Sequence, residues 1–360
     1  MTDYIAFRHQ LHDNPQPSGD EQFAHDLIVC HLQSLHPTQV FTRVGGWGVM
    51  ALWGQPDGRP TIALRADTDA LPSGHHCGHD GHTTVLLRVA ELVDEEWKTS
   101  GGWDHNVLLL WQPAEETGVG ARAVIESGLL TRFHIVGFYG MHNLPGYPLG
   151  RVVLCENTFA AASTGVLWRL KGRETHASTP EKGINPGMAV AEIIEKMAAL
   201  NGGAGDGFMQ TTLIGVDLGS ASFGTSAGQA VVMYTLRAYT DGAMAQLLAD
   251  ARAVVEGAAE RYGLGVEQAF CDPFGATVNR PEHVEKIRLA AQQTGNEVEQ
   301  RPQPFRWSED FGEYLKLYPG AFFGMGSGER QPELHHPDYD FPDELIEPAA
   351  RLFLQLARLV

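Results

Sequence analysis

The stretch His75-His76-Cys77-Gly78-His79-Asp80-Gly81-His82 crowds thiol, imidazole and carboxylate groups into a single turn's worth of chain. Thiolate and imidazole are the donors that zinc and similar first-row ions prefer, and the Cys-x-His spacing of Cys77 and His79 lets both reach one ion or an adjacent pair. Cys77 is the one of four cysteines set within this dense run of histidines; Cys30, Cys155 and Cys271 are scattered, without disulfide or zinc-ribbon spacing. Further donors stand elsewhere. Asp69, Glu115, Glu116 and His142 fall at the ends of apolar strand candidates, and His335 and His336 share a C-terminal loop. Together they compose a two-metal site, which needs about five or six protein donors, a bridging group and one unligated carboxylate to take a proton from water. The adjacent Glu115 and Glu116 can divide that work between ligand and general base.

The elements that must position these groups are legible in the apolar periodicity. Val85, Leu86, Val89, Ala90, Leu92, Val93 and Trp97 recur near a 3.6-residue period, which predicts a helix over His79 to Trp97 with the cluster at its N-terminus. His82, one turn into that helix, is expected to pack or hydrogen-bond locally. Buried strands are predicted at Thr61 to Arg65, Val107 to Gln112 and Ile135 to Met141, alternating with helices as in a parallel sheet. Ligands in such sheets bind outside the carboxyl ends of the strands, where Asp67-Thr68-Asp69, Glu115-Glu116 and His142 stand. Ser18 to Glu21 reads as a capping box opening a helix over Asp20 to Leu35, with Cys30 buried on its apolar side.

Residues 163–275 have a different pattern, strand-helix-strand-strand-helix-strand, the order of a ferredoxin-like split unit. The expected organisation is therefore an α/β catalytic domain of residues 1–162 and 276–360 with a mostly parallel central sheet, interrupted by an α+β domain of residues 163–275.

The chain has 360 residues and a formal net charge of -18, which disfavours nucleic acid and anionic membranes and favours small soluble substrates. No apolar run approaches the ~20 residues that span a bilayer, and the N-terminal residues have neither a basic nor an apolar leader region; a cytoplasmic location is expected.

The order and spacing of several motifs resemble the M20 family of metallopeptidases, in its amidohydrolase branch of aminoacylases, hippurate hydrolases and auxin-conjugate hydrolases. They are Arg8-His9-Gln10-Leu11-His12, Leu64 to Pro72, Cys77-Gly78-His79-Asp80-Gly81-His82, Gln112-Pro113-Ala114-Glu115-Glu116, Gly140-Met141-His142, His176-Ala177-Ser178, Ser308-Glu309-Asp310-Phe311 and Leu334-His335-His336-Pro337. The resemblance implies a zinc-peptidase-like catalytic domain with an inserted lid and dimerisation domain. It implies Cys77, His79, Glu116, His142 and His335 as ligands of two divalent ions (zinc, manganese, cobalt or nickel), Glu115 as general base, and Asp69 orienting a ligand. By the same resemblance His176 reaches the active site of a dimer partner. Arg237, at the end of a lid strand, is a candidate for the substrate carboxylate.

The activity implied is hydrolysis of the amide bond of an N-acyl amino acid or small conjugate, with a dipeptidase or carboxypeptidase of the same mechanism as the alternative. Two departures stand out. Gly224-Thr225-Ser226-Ala227 replaces an Asn-Val-Ile-Pro stretch, and the connection from Pro72 to Cys77 is short. Two rivals remain: a thiol hydrolase with Cys77 as nucleophile, which leaves both glutamates and His335 idle, and a non-catalytic binder of acylated amino acids, which would not need an unligated base.

Overall fold

The structure is a computed structural model, and it describes residues 3–203 and 207–360. The chain forms two compact units. The first runs to Phe159 and resumes over Thr277–Gln303 and Asp310–Val360; the second comprises Ala160–Ala276 and Pro304–Glu309.

The first unit is built on an eight-stranded sheet. Its order is Gln39–Val44, Gly48–Trp53, Asn106–Gln112, Pro60–Asp67, His134–Pro145, Gly320–Gly328, Val152–Leu154 and Val298–Gln300. The four strands from Asn106–Gln112 to Gly320–Gly328 are mutually parallel. Every residue of Asn106–Gln112 is buried, and Pro60–Asp67 is buried beyond its first residue, as expected of strands covered on both faces. The helices His79–Ser100, Pro281–Thr294 and Ile346–Ala357 contribute Val85, Val89, Ile287, Leu352 and Phe353 to the core beside Ile62, Leu64, Leu109 and Phe323. Since the middle strands run the same way, their carboxyl ends bring Asp67, Gln112 and His142 to one edge of the sheet.

The second unit is a four-stranded antiparallel sheet in the order Met209–Leu218, Gln229–Ala238, Ala162–Lys171 and Gly265–Phe274. The helices Gly187–Ala198 and Asp241–Tyr262 cover one face through Ile193, Met197, Leu247 and Val255. Among the described residues, no helix is long and apolar enough to cross a membrane.

Two local expectations are corrected. The helix expected over Asp20 to Leu35 spans Gln22–Leu32, and its N-cap Glu21 makes no side-chain cap bond. Ser18 Oγ instead donates to Asp69 Oδ2 at 2.6 Å, and Glu21 Oε1 accepts from the amides of Gly19 and Ala114, both at 2.8 Å. Tertiary acceptors and donors outcompete the local capping pattern. Cys30 is exposed rather than buried, because the buried stripe runs through Ala24, His25, Ile28 and Leu32 and position 30 turns away from it.

Candidate metal centre

Three short connections set the positions of the donors. Gly78, at φ 95, turns the chain into the His79–Ser100 helix, and a Cβ there would come within 2.7 Å of Asn143 Oδ1. This left-handed glycine presents Cys77 and His79 on either side of one turn. Beyond Gln112, Ala114 is left-handed at φ 53, which swings Glu115 and Glu116 back from the strand end. The conformation is unfavourable for alanine. It is held by the Glu21 carboxylate on the Ala114 amide and by the Gly120 amide, which donates to Ala114 O at 3.0 Å. His335 is also left-handed, at φ 68, with its amide donating to His76 O at 2.8 Å.

These connections bring seven of the nine sequence-predicted site residues together. Cys77, His79 and His142 form one group whose donor atoms lie within 4.8 Å of one another; Cys77, Glu116 and His335 form a second; His79, Glu115 and Glu116 a third. Cys77 Sγ is 3.5 Å from His142 Nε2. Nε2 of His79 is 3.8 Å from Glu116 Oε1 and 4.0 Å from Glu115 Oε2, and His335 Nε2 is 3.8 Å from Glu116 Oε2. The neighbouring His336 is exposed, and its Nδ1 accepts from the Asp338 amide.

Both buried histidines of the cluster have their tautomer fixed from behind. His79 Nδ1 donates to the backbone oxygen of Asp69 at 2.9 Å, and His142 Nδ1 donates to that of Asn143 at 2.9 Å. Each therefore turns Nε2, the nitrogen a metal would take, toward the cluster. Asp69 lies behind His79, its Oδ1 3.3 Å from His79 Nδ1 and its Oδ2 accepting from the Glu116 amide at 3.0 Å.

Burial is the largest influence on each group of the cluster. It pushes the Glu116 carboxyl up to about 7 and the Cys77 thiol well above its usual range, with the nearby Glu116 charge adding to the latter. Burial likewise depresses His142 and His335. Burial would also lower His79, but the Asp67 carboxylate, Cys77 and the hydrogen bond to Asp69 hold it well above the usual imidazole range. Asp69 behaves oppositely: burial raises it, while His79, Ser18 and the Glu116 amide bring it below the ordinary carboxylate value.

The donor set fits divalent ions. His79 Nε2 and Glu116 Oε1 are buried and have no hydrogen-bond partner among the described residues. A cation between such atoms would satisfy both and would deprotonate the buried thiol and carboxyl. Thiolate, imidazole and carboxylate together suit zinc and its first-row neighbours.

Sequence reasoning passed over Asp67 and Glu21. Asp67 is fully buried, 2.6 Å from His82 Nδ1 and 2.6 Å from Arg65, and Glu21 holds the strained Ala114. A carboxylate ending an apolar strand was the visible signal for Asp67; Glu21 was hidden by its resemblance to a capping residue. Arg8, in the motif of the first helix, is buried and pairs with Asp80 at 2.7 Å and Asp340 at 2.8 Å, anchoring that helix beside the donor loop.

The remaining two predicted residues belong to the second unit. His176 is exposed, with Nδ1 2.6 Å from Ser178 Oγ, and it pairs across a short two-stranded ribbon with Thr225 of the divergent Gly224-Thr225-Ser226-Ala227 loop. Arg237 donates to Arg306 O at 2.9 Å and Ser308 Oγ at 3.1 Å, and among the described residues no carboxylate pairs with it.

Parallel strand ends converging on a Cys/His/Glu donor set define a metal-dependent hydrolase. Residues 63–359 match the model of peptidase family M20/M25/M40, and the chain belongs to that family. It is 29% identical to the N-acetylcysteine deacetylase of Bacillus subtilis, across 100% of this chain and 97% of that protein. It is 27% identical to the hippurate hydrolase of Campylobacter jejuni, across 99% and 96%. Among solved structures, a dinuclear metal binding peptidase of the M20 family from Bacillus subtilis superposes with a TM-score of 0.83 at 26% identity, covering 99% of this chain and 97% of that one.

Proposed function

We propose that this protein hydrolyses the amide bond of N-acyl amino acids or related small conjugates, with two divalent ions held by Cys77, His79, Glu116, His142 and His335. The observation that carries this reading is the sharing of Cys77 by two donor groups, one completed by His79 and His142 and the other by Glu116 and His335. Cys77, common to both groups, would be the residue that contributes to holding both ions. The ions would supply Lewis acidity, acidifying water and polarising an amide carbonyl.

The chain's own groups do the rest. Glu115, largely buried beside His79, takes the proton from the attacking water and returns it to the leaving amine. Asp69 fixes the His79 ring from behind. Arg237, a guanidinium with no carboxylate partner among the described residues, receives the substrate carboxylate. Names of the relatives support the substrate class, since they include a deacetylase of N-acetylcysteine and a hydrolase of hippurate. The high position of the buried Cys77 thiol argues against a thiol hydrolase, which requires an accessible thiolate.

The inserted residues 163–275, which lie within the second unit, act in this reading as a lid and as the contact of a homodimer, with His176 completing the partner's site. Leu213, Ile214 and Leu218 are exposed on the edge strand Met209–Leu218, and Phe223 is wholly exposed nearby in sequence; such an edge suits pairing with a second copy. Four free cysteines accord with a reducing cytoplasm. A screen of N-acetyl, N-benzoyl and dipeptide substrates on metal-stripped protein restored separately with zinc, manganese, cobalt or nickel tests the reading. Turnover restricted to N-acyl amino acids is expected; full activity without metal would overturn it.

A further inference from the structure

The imidazole of His82 has no open coordination position. Its Nδ1 donates to Asp67 Oδ1 at 2.6 Å, and its Nε2 accepts the amide of Asn143 at 3.2 Å, so both nitrogens are used and the tautomer is fixed. Yet the ring lies against both buried imidazoles of the metal centre. It stacks on His79 with centroids 5.5 Å apart and planes at 27°, and it meets His142 edge-on at 4.8 Å and 83°. Behind it, the Phe341 ring stands edge-on at 6.1 Å and occupies the space beside Gly81, where a Cβ would come within 2.2 Å of it.

Asp67, which holds His82, is itself held. Its second oxygen takes Arg65 at 2.6 Å, and Arg65 spans onward to Asp310 at 2.8 Å and Gln112 Oε1 at 2.9 Å. Asp310 is fixed by the Ala121 amide and by Gln112 Nε2, both at 2.8 Å. All of these side chains are buried to 1% exposure or less, so the charges are paired and dry, where hydrogen bonds to ionised groups are directional and strong. The network reaches two strand ends, at Asp67 and Gln112, and a third strand at Asn143, two residues before its end.

We propose that His82 is a positioning residue: a wedge, tethered through Asp67, Arg65 and Asp310 to the strand ends, that sets the mutual angle of the His79 and His142 rings. His79 comes from a helix start and His142 from a strand, and His82 is the ring that touches both. The inference rests on the two-metal reading above. Groups behind metal-bound histidines typically cost about 10- to 100-fold in metal affinity when removed.

The test compares wild-type protein with His82→Phe, which keeps an aromatic ring but neither tether, and with His283→Asn, a buried histidine on the Pro281–Thr294 helix outside the donor cluster. Divalent-ion dissociation constants are measured against a competing chelator, and the visible spectrum of the cobalt-loaded protein is recorded alongside thermal stability. His82→Phe is expected to bind cobalt and zinc about 10- to 100-fold more weakly with shifted cobalt bands, whereas His283→Asn loses stability with unchanged affinity and bands. Asp67→Asn is the second variant should His82→Phe fail to fold, with the same expected loss. A folded variant that binds within twofold of wild type with unchanged bands overturns the positioning role alone. Wild-type protein that takes up no divalent ion overturns the two-metal reading and this inference together.

Discussion

The Cys77 sulfur lies 3.5 Å from Nε2 of His142, joining the loop before a helix to the carboxyl end of a parallel strand. Neither residue is near the other in sequence. The contact exists because Gly78 turns the helix start over the sheet edge, and it makes the thiol the meeting point of two donor groups.

Cys77→Ser is therefore expected to lower metal content from two ions per chain, because a hydroxyl is a far poorer metal ligand than a thiolate. Elemental analysis of the purified variant checks this. Full occupancy with unchanged turnover would remove Cys77 from the donor set. Wild-type activity should vanish with chelator and return with metal.

Glu115→Gln should keep its metal and lose about 10²- to 10⁴-fold in turnover, the usual cost of removing a general base. Glu116→Gln should lose metal as well. Near-normal turnover in Glu115→Gln, measured beside metal content, would require the two roles to be exchanged or abandoned.

Glu21→Ala is expected to destabilise the fold by about 1–3 kcal/mol, because the buried Ala114 amide loses its acceptor. Glu21→Gln keeps the acceptor oxygen and should cost less. Urea unfolding of the metal-free proteins distinguishes them, and equal stability of Glu21→Ala and wild type would refute the bracing of Ala114.

Burial lowers the His283 imidazole to about 4 where its Nδ1 accepts the Tyr139 hydroxyl at 2.8 Å. Since the folded-state value is depressed, the unfolded chain binds the extra proton first as pH falls. The contribution to stability is complete above the unfolded value of about 6.5 and is lost progressively down to about 4, at up to about 1.4 kcal/mol per pH unit. His283→Asn should flatten that part of the stability profile of the metal-free protein. An unchanged slope would count against the buried neutral histidine.

A homodimer with His176 acting across it makes a complementation prediction. Protein carrying His176→Ala and protein carrying Glu115→Gln should each be nearly inactive, while coexpressed heterodimers regain one site with both residues intact. Isolated heterodimers without activity would refute the role in trans, and a monomer by light scattering at micromolar concentration would refute the dimer.

The chemistry and the frame around it were legible in the chain itself. Apolar periodicity marked the parallel strands and the His79 helix, since a strand covered on both faces and a helix with one packed face each leave their period in the residue types. Donor types at strand ends marked Glu115, Glu116 and His142 for the same reason. What the chain could not display is which polar side chain reaches which partner. Ser18 and Glu21 have the spacing of a helix cap, yet fold against Asp69 and Ala114, because a tertiary acceptor or donor in a dry site outcompetes a local one facing water. Cys30 has apolar neighbours, yet a rotation fixed by packing leaves it exposed. Asp67 and His82 read as an ordinary strand end and a helix residue; only the closing of Arg65 on Asp310, 245 positions away, turns them into the support behind two imidazoles. Sequence spacing carries local periodicity and residue chemistry, whereas partners of buried charge are chosen by three-dimensional closure.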